Sequence, residues 1–378
     1  MKAMVYDKSG PNRMLWHSDQ VVPAPGRNEV LVKIASSSIN VLDYRLTDHR
    51  GLFAMTPKRV VGNDFAGTIV GLGREVRGFA VGDEVFGWGA GFANYCTANV
   101  SEIARVPPNG KVEEMGIYGL VGTCAHQVLR KHWFDRPNFN VRSLLVIGAS
   151  GGVGSSVVQI ARAMGGPELR IFGIASNKNT EYVKQIGANE AVDYTVRDFD
   201  IARAFPVHSM DLIVDTVSGT PESSDYYHSG GQLLLKPHGR YVALNSLSGI
   251  DWARSGLTGG CGCDWQRTNY DLFVTRRKRS DVDLQAVARL VEQGKYKLNV
   301  AEEVPLLETP IRRALHNLRL RHIRGKVKIR PTEFGSQEQP PFQSPTASGS
   351  QQPQEPERER VVRETMLREG GGEQQTYM

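Results

Sequence analysis

The sequence has few cysteines and no long apolar run. Only four Cys occur among 378 residues, so neither a disulfide framework nor a secreted context is indicated. No apolar stretch approaches the roughly 20 residues that span a bilayer, which argues against an integral membrane protein. The N-terminus has no apolar core or small-residue cleavage site typical of a targeting segment. We therefore expect a cytoplasmic protein without a membrane partner.

The clustered bases of a nucleic-acid-binding surface are also missing. Net charge is +6 and uneven: residues 332–378 hold eight Glu and four Arg, net −4, which leaves +10 on residues 1–331. A basic body favours an anionic ligand, although a solvated basic surface is the alternative. The dense run Arg276 to Arg279 indicates the solvated start of a helix. Nucleic acid is not an expected partner.

Residues 332–378 differ in composition from the rest of the chain. They are rich in Gln, Pro, Ser, Gly and Glu and have few apolar anchors, so burial cannot offset the entropy of ordering them. We expect a disordered polar tail without a catalytic role.

Two patterns divide the remainder. Residues 1–110 show short apolar runs broken by Gly, Pro and Asn, which are typical of β-strands. From Tyr118 to Gly249, buried strands alternate with amphipathic helices, the pattern of an α/β domain with a parallel sheet. The expected strands are Leu144–Gly148, Arg170–Ser176, Asp211–Asp215, Gly239–Ser246 and Lys326–Ile329, and the expected late helices are Asp281–Gly294 and Thr309–Arg319.

A glycine loop follows the first of these strands. The apolar run Leu144–Ile147 leads directly into GASGGVG at 148–154 and then into an amphipathic helix. Such a unit presents backbone N–H groups and a positive helix end to a pyrophosphate. Gly151 lets the phosphate approach the backbone, and Gly154 lets the helix pack on the strand. The alternative is a tight structural turn.

The end of the second strand indicates which nicotinamide cofactor is preferred. A site selective for NAD has Asp or Glu about twenty residues after the loop, but this chain has Ser176, Asn177 and Lys178. A carboxylate would repel a 2′-phosphate, whereas hydroxyl, amide and ammonium groups attract it. The sequence predicts NADPH. The alternative is that Lys178 is a surface lysine that opens a helix.

With these residues in hand, the chain resembles the medium-chain dehydrogenase/reductase superfamily, in particular its zinc-free quinone oxidoreductase (zeta-crystallin-like) and enoyl reductase branch. The resemblance covers roughly residues 1–331 and rests on MKAMVY at 1–6, Gly62–Gly67, Val81–Val85, the glycine loop, Gly187-Ala188, Asp215–Val217 and Gly325–Val327. It implies a GroES-like catalytic domain, residues 1–118 and 270–331, beside a doubly wound Rossmann domain, residues 119–269.

The resemblance also implies where the cofactor is bound. The glycine loop would hold the pyrophosphate, the end of the second strand would surround the 2′-phosphate, and a third group would lie near the nicotinamide. The full set is Asn40, Thr123, Ser150, Gly151, Gly152, Val153, Gly154, Ser176, Asn177, Lys178, Tyr194, Leu272, Phe273 and Val274. Phe273 could equally be a core residue.

No metal is expected. The positions that match the catalytic zinc ligands of the superfamily's alcohol dehydrogenases are Asn40, Asn63 and Gly119, and none offers a thiolate, imidazole or carboxylate. Only Cys96 lies where a structural zinc lobe needs four Cys, and Cys261-Gly262-Cys263 has the wrong spacing.

Without a Lewis acid, alcohol oxidation is disfavoured, and hydride delivery to an already electrophilic quinone or α,β-unsaturated carbonyl is expected. Asn40 is the first candidate catalytic residue, as a polar positioner. Tyr44 is the second, as a proton donor, although it could simply pack. Water can otherwise provide the proton.

Two other functions stay open from the sequence. One is trans-enoyl thioester reduction, and the other is a non-enzymatic role as an NADPH-binding interaction or RNA-binding protein. The small-molecule acceptor cannot be read from the sequence, and Ser248–Thr268 is a candidate segment for setting substrate preference. By family analogy, a homodimer joined through the Rossmann sheets is expected.

Overall fold

Two sheets of different kinds form the framework. The computed structural model describes residues 1–6, 14–47, 59–219, 225–245, 269–320 and 323–331, with the backbone alone at 45–47. The predicted tail at 332–378 and the Ser248–Thr268 segment lie outside the described residues. The described strands are β1 Ala3–Tyr6, β2 Met14–His17, β3 Glu29–Ile39, β4 Arg59–Val60, β5 Asp64–Leu72, β6 Glu84–Trp88, β7 Tyr95–Asn99, β8 Ile103–Arg105, β9 Ser143–Ile147, β10 Arg170–Ala175, β11 Glu190–Asp193, β12 Met210–Asp215, β13 Leu235–Ala243, β14 Tyr270–Leu272, β15 Val300–Pro305 and β16 Lys326–Arg330.

Helices surround both sheets. The described α-helices are α1 Val41–Thr47, α2 Val112–Met115, α3 Gly119–Leu129, α4 Gly152–Gly165, α5 Thr180–Gln185, α6 Ile201–Ala204, α7 Asp281–Glu292 and α8 Glu308–Arg319. Within the described ranges, no helix combines the length and the apolar character that crossing a membrane requires.

The first sheet joins the two ends of the described chain. Its strand order is β15-β16-β3-β5-β6-β8, with β7 also paired to β3. The late strand β16 runs antiparallel to β3, and Val327 lies opposite Ile39. This register brings Lys326, at the start of β16, next to Asn40, at the end of β3. A smaller sheet has the order β2-β1-β4.

The second sheet is parallel, with the order β11-β10-β9-β12-β13-β14 among the described strands. Every residue of β9 is buried, because its alternate side chains enter two different cores. Leu144 and Val146 pack into one core, and Leu145 and Ile147 pack into the other. Helices therefore cover both faces, as parallel sheets require, and the predicted α/β fold class is confirmed.

The order of the parallel sheet locates a crevice. The chain goes from β9 to β10 on one side and later returns to β12 on the other side. Such a switch opens a crevice at the carboxyl ends of the strands, where ligands of doubly wound folds bind. The predicted domain limits stay predictions; β14 pairs with β13 and thus extends the parallel sheet to Leu272.

One strand differs from its predicted bounds by more than a single residue. β13 begins at Leu235 rather than at Gly239. Pro237 and Gly239 interrupt the apolar pattern there, and the pairing with β12 shifts register between Met210 and Leu212. The local sequence therefore hides the first half of this strand.

Candidate active site

The glycine loop follows β9 at the crevice. Gly148 has a φ of +78°, a conformation that favours glycine. A Cβ on Gly154 would lie 2.1 Å from the Gly148 carbonyl oxygen, so only glycine lets α4 pack this close. A Cβ on Gly151 would meet nothing nearer than 3.5 Å. The two glycines thus differ as expected: Gly154 is needed for packing, and Gly151 leaves open space.

The start of α4 fits a phosphate. Gly151 is the N-cap residue, and no side chain caps the helix in the part of the chain that is described. The first N–H groups of a helix have no acceptor within it, and they carry the positive end of its dipole. Together with the space above Gly151, this end of α4 fits a pyrophosphate. Ser150, Gly152 and Val153 lie on the same loop and helix turn.

We call Ser176, Asn177, Lys178 and Tyr194 the ribose-end surface. Ser176 follows β10, and Asn177–Asn179 form a short 3₁₀ turn. The Tyr194 backbone N–H donates to the Ala175 carbonyl at 3.1 Å, so Tyr194 lies beside the end of β10. Asn177, Lys178 and Tyr194 are exposed. The four residues therefore form one accessible polar surface.

A buried amide joins this surface to the glycine loop. The Asn179 Nδ2 group donates to Ser176 Oγ at 3.0 Å and to Ser150 Oγ at 3.3 Å. Asn179 was not among the predicted site residues, because an Asn in a polar run carries no distinguishing signal.

Asp193 is a carboxylate that the prediction did not count. It ends β11, directly before Tyr194, and its Oδ1 accepts from the Thr195 hydroxyl at 2.6 Å and backbone N–H at 2.8 Å. The Thr195 hydroxyl and further hydrogen bonds, including those from Asn177, lower the pKa of Asp193. The ribose-end surface therefore has a negative neighbour.

A buried polar cluster lies at the other end of the crevice. Its centre is Asp64, whose Oδ2 accepts from Ser38 Oγ at 2.6 Å and from Asn40 Nδ2 at 2.8 Å. The Asp64 Oδ1 atom accepts from the Leu120 backbone N–H at 2.5 Å. The members of this buried polar cluster are Ser38, Asn40, Asp43, Asn63, Asp64 and Lys326.

Lys326 brings a positive charge into this cluster. Its Nζ donates to Asn40 Oδ1 and to the Ile39 carbonyl at 3.1 Å, and it lies 3.4 Å from Asp64 Oδ2. Burial lowers the pKa of Lys326, while attraction to Asp64 and Asp43 opposes that shift. Both ends of the Asn40 amide are therefore held. The prediction used Lys326 only as a family mark, since nothing local reveals its partners.

Asp43 completes the cluster beside Asn63. Its carboxylate accepts from the Asn40 backbone N–H and from Asn63 Nδ2, each at 2.6 Å. Burial raises the pKa of Asp43 to about 7, against the effect of these hydrogen bonds. This carboxyl consequently titrates near neutral pH.

The cluster and the glycine loop meet at Lys326. A Cβ on Gly152 would lie 2.9 Å from the Lys326 Cδ atom. Thr123 is buried on α3, three residues after Leu120. Its hydroxyl donates to the Gly119 carbonyl at 2.6 Å and accepts from the Trp88 indole at 3.3 Å. Like Asn40, Thr123 is oriented by partners on both sides.

The segment 272–274 lies at the carboxyl end of β14, on the same edge of the parallel sheet as the glycine loop. Leu272 and Phe273 are buried, and the Phe273 ring packs edge-on against His132 at 6.0 Å. Val274 is 37% exposed. Phe273 therefore contributes to the core, the alternative noted from the sequence.

Tyr44 is turned to different neighbours. It lies on α1 and packs against a core that includes Ile311 and Leu315 of α8. The Arg319 guanidinium lies 5.7 Å from the centre of its ring. Packing, rather than proton donation, accounts for these contacts.

The positions that match zinc ligands are chemically occupied. Asn40 and Asn63 donate to the carboxylates of Asp64 and Asp43. A Cβ at Gly119 would lie 2.6 Å from the Gly87 carbonyl oxygen, so this position has no room for a side chain. Among the residues with described positions, no group of three or more His, Cys, Asp or Glu could hold a metal ion.

Two family models match the chain. Residues 26–134 match the alcohol dehydrogenase GroES-like domain, and residues 186–328 match the zinc-binding dehydrogenase model. The chain belongs to the medium-chain dehydrogenase/reductase superfamily. The predicted family and the combination of GroES-like and Rossmann-type domains are confirmed, and the protein is an NAD(P)H-linked oxidoreductase of this superfamily.

Curated relatives of this superfamily member are distant. The chloroplastic quinone-oxidoreductase QR1 of Triphysaria versicolor is 29% identical over 236 residues, 59% of this chain and 70% of the relative. The trans-enoyl reductase pyiC of Pyricularia grisea is 31% identical over 241 residues, 59% of this chain and 62% of the relative.

Solved structures share the fold. The quinone oxidoreductase from Coxiella burnetii has a TM-score of 0.72 at 22% identity and covers 87% of this chain and 99% of its own. A mycobacterial protein complexed with NADPH has a TM-score of 0.70 at 22% identity, with 88% and 100% covered. At these identities the likeness concerns the fold alone.

Proposed function

We propose that this protein is an NADPH-dependent reductase that transfers hydride to a quinone or an α,β-unsaturated carbonyl without zinc. The observation that carries the proposal is the buried polar cluster. At the positions where zinc-dependent members need ligands, this chain has Asn40 and Asn63, whose amides are held by carboxylates, and Gly119, which has no room for a side chain. The substrate must therefore be electrophilic without the help of a metal.

The residues for the cofactor follow from the crevice. Ser150 to Gly154 would hold the pyrophosphate, and the ribose-end surface would hold the 2′-phosphate. Asn40, Thr123 and the segment 272–274 would lie at the nicotinamide end. NADPH supplies a hydride when bound. The NADPH complex of the mycobacterial structure supports this choice of cofactor.

The chain's own polar groups orient the reactants rather than activate them. Asn40 is held by Lys326 and Asp64, and Thr123 is held by Trp88 and Gly119. Fixed polar groups lower a barrier by positioning the reactants. We propose that Asn40 is such a positioner and that water gives the final proton. The role of Tyr44 as a proton donor stays a prediction.

Trans-enoyl thioester reduction is the second candidate. It uses the same hydride transfer to a β-carbon, and the Pyricularia relative that carries this name supports it. The two candidates differ in the acceptor, so rate growth with acyl-chain length distinguishes them.

The test is the initial rate of NADPH and NADH oxidation by EDTA-treated protein. The acceptors are an ortho-quinone, a para-quinone, a simple enone and a crotonyl thioester. Turnover of a quinone or enone with NADPH preferred is the expected result. Fastest turnover of the thioester would favour the second candidate. Binding of NADPH with no turnover of any acceptor would favour the non-enzymatic role and contradict the proposal.

Location and assembly stay predictions. The cytoplasmic expectation stands beside a relative described as chloroplastic, so the compartment varies among similar proteins. The expected homodimer is tested by light scattering on the purified protein.

A further inference from the structure

Three consecutive residues, Arg324, Gly325 and Lys326, touch each part of the crevice. Lys326 enters the buried polar cluster. The Gly325 backbone N–H donates to the Ser150 carbonyl at 3.0 Å, and Gly325 forms a parallel bridge with Gly151. Arg324 reaches the ribose-end surface. This tripeptide comes from outside the segment that forms the parallel sheet, so it joins the GroES-like part to the cofactor crevice.

The Arg324 guanidinium is directed by neutral acceptors. Its Nε donates to Asn179 Oδ1 at 2.7 Å, and its Nη2 donates to the Lys178 carbonyl at 2.9 Å. The guanidinium also lies 5.4 Å from the centre of the Tyr182 ring, a contact that favours a fixed orientation. These three contacts hold the positive group beside Lys178.

The charge of Arg324 is not neutralised locally. Arg324 and Lys178 are both exposed, and neither forms an ion pair with a carboxylate in the described ranges. A guanidinium has five N–H donors, and the two hydrogen bonds above use two of them. The guanidinium therefore has donors to spare beside the Lys178 backbone, and arginine recognises a doubly charged phosphate through such paired N–H groups.

The hydrogen-bond network places this charge at the correct end of the crevice. Asn179, which accepts from Arg324, also donates to Ser176 and to Ser150. Arg324 is therefore one residue removed from both the ribose end and the pyrophosphate loop. Asp193, the negative neighbour, keeps its charge while it accepts from Thr195, so it opposes phosphate binding rather than assisting it.

We propose that Arg324 binds the 2′-phosphate of NADPH together with Lys178 and thereby sets the preference for NADPH over NADH. The proposal rests on the proposed function, because it deepens the cofactor site described there. It adds a specificity residue from the chain segment before β16, which no reading of the second Rossmann strand would find.

The test measures the binding of each cofactor directly by fluorescence titration, in the absence of any acceptor. We expect Arg324→Gln to weaken NADPH about 10- to 100-fold, the loss of one or two charge-assisted hydrogen bonds, and to change NADH less than about 3-fold. Arg324→Lys should restore part of the preference. Arg170→Gln is the matched control, since Arg170 pairs with Glu190 at 2.9 Å at the opposite end of β10.

The outcomes distinguish a failure of the Arg324 role from a failure of the proposed function. Equal weakening of NADPH and NADH, or no weakening of NADPH, would overturn the role of Arg324, because either result makes the residue structural or irrelevant to the phosphate. Wild-type protein that binds neither cofactor would instead overturn the proposed function, and this proposal with it. Retained NADH binding by Arg324→Gln shows that the variant is folded.

Discussion

The two ends of the crevice are built in opposite ways. In the buried polar cluster, Asp64 and Asn40 have their hydrogen-bonding atoms filled by other groups of the protein, and Lys326 is 3% exposed. At the ribose-end surface, Lys178 and Tyr194 face solvent. A buried network that satisfies itself fixes geometry, whereas an exposed one keeps donors for a ligand. We infer that one end positions the reaction and the other selects the cofactor.

The difference also predicts how each end responds to change. Removing a group from the buried cluster leaves a charge or a polar atom without a partner, which lowers stability. Removing an exposed group changes binding and leaves the fold intact. The following experiments test this distinction.

The largest effect is expected at Lys326. Lys326→Met removes the ammonium that faces Asp64 and leaves a buried carboxylate uncompensated, so the free energy of unfolding should fall by about 3–5 kcal/mol. Urea denaturation measures it. Lys184→Met is the control: Lys184 forms an exposed pair with Glu181, and its loss should cost less than about 1 kcal/mol. Equal effects would contradict the distinction.

Asp43 should make stability depend on pH. Its pKa is about 7 in the folded protein against 3.8 for the free group, so the folded state binds the proton more tightly. Stability therefore falls as pH rises from about 4 to about 7, by up to about 4 kcal/mol. Asp43→Asn should remove this slope.

Thermal melts at pH 5 and pH 8 measure the Asp43 effect. The wild type should lose more stability between the two than Asp43→Asn does. Asp193→Asn is the control outside the buried polar cluster. Because the pKa of Asp193 is lowered, its titration lies below this window, and its variant should parallel the wild type. If Asp43→Asn also runs parallel to the wild type, the carboxyl is already ionised at pH 5.

Lys178 should affect selectivity without affecting stability. Lys178→Glu places a negative charge at the ribose-end surface, so NADPH should weaken at least about 10-fold more than NADH. Binding constants for both cofactors provide the measurement, and Lys184→Glu is the matched charge reversal. If both cofactors weaken equally, the second strand does not end at the ribose.

The smallest effect is expected at Tyr44. Its ring packs under Arg319, so Tyr44→Phe should change kcat less than about 2-fold, or about 0.4 kcal/mol in activation free energy. Asn40→Ala, measured in the same assay, should have a larger effect. A loss of tenfold or more in Tyr44→Phe would restore the proton-donor role.

Features that depend on neighbouring residues were predictable. The alternation of strands and helices gave bounds close to those observed: Leu144–Gly148 against Ser143–Ile147, and Thr309–Arg319 against Glu308–Arg319. The opposite demands on Gly151 and Gly154 also follow from local geometry, because a loop between strand and helix decides both.

Features that depend on topology were not predictable. In the sequence, Arg324 resembles any surface arginine and Lys326 any lysine of a strand. Only the pairing of β16 with β3 brings both residues to the crevice. Asp193 joins the ribose end because β11 pairs with β10, and Asn179 links that end to the glycine loop through Ser150. Side chains that come from distant strands into one site leave no periodic pattern in the sequence. The sequence therefore predicts the glycine loop but not the residues that surround it.

The late position of β16 has a consequence for biosynthesis. Lys326 meets Asn40 across 286 residues of chain, whereas the described strands of the parallel sheet all lie between residues 143 and 272. The ribosome therefore releases these strands of the parallel sheet while the Ser37–Ile39 part of β3 still lacks its partner. Long-range pairing is slow, and an open strand edge invites association with other chains. The crevice is consequently completed only after β16 has been synthesised, and until then the Ser37–Ile39 part of β3 is an unpaired edge.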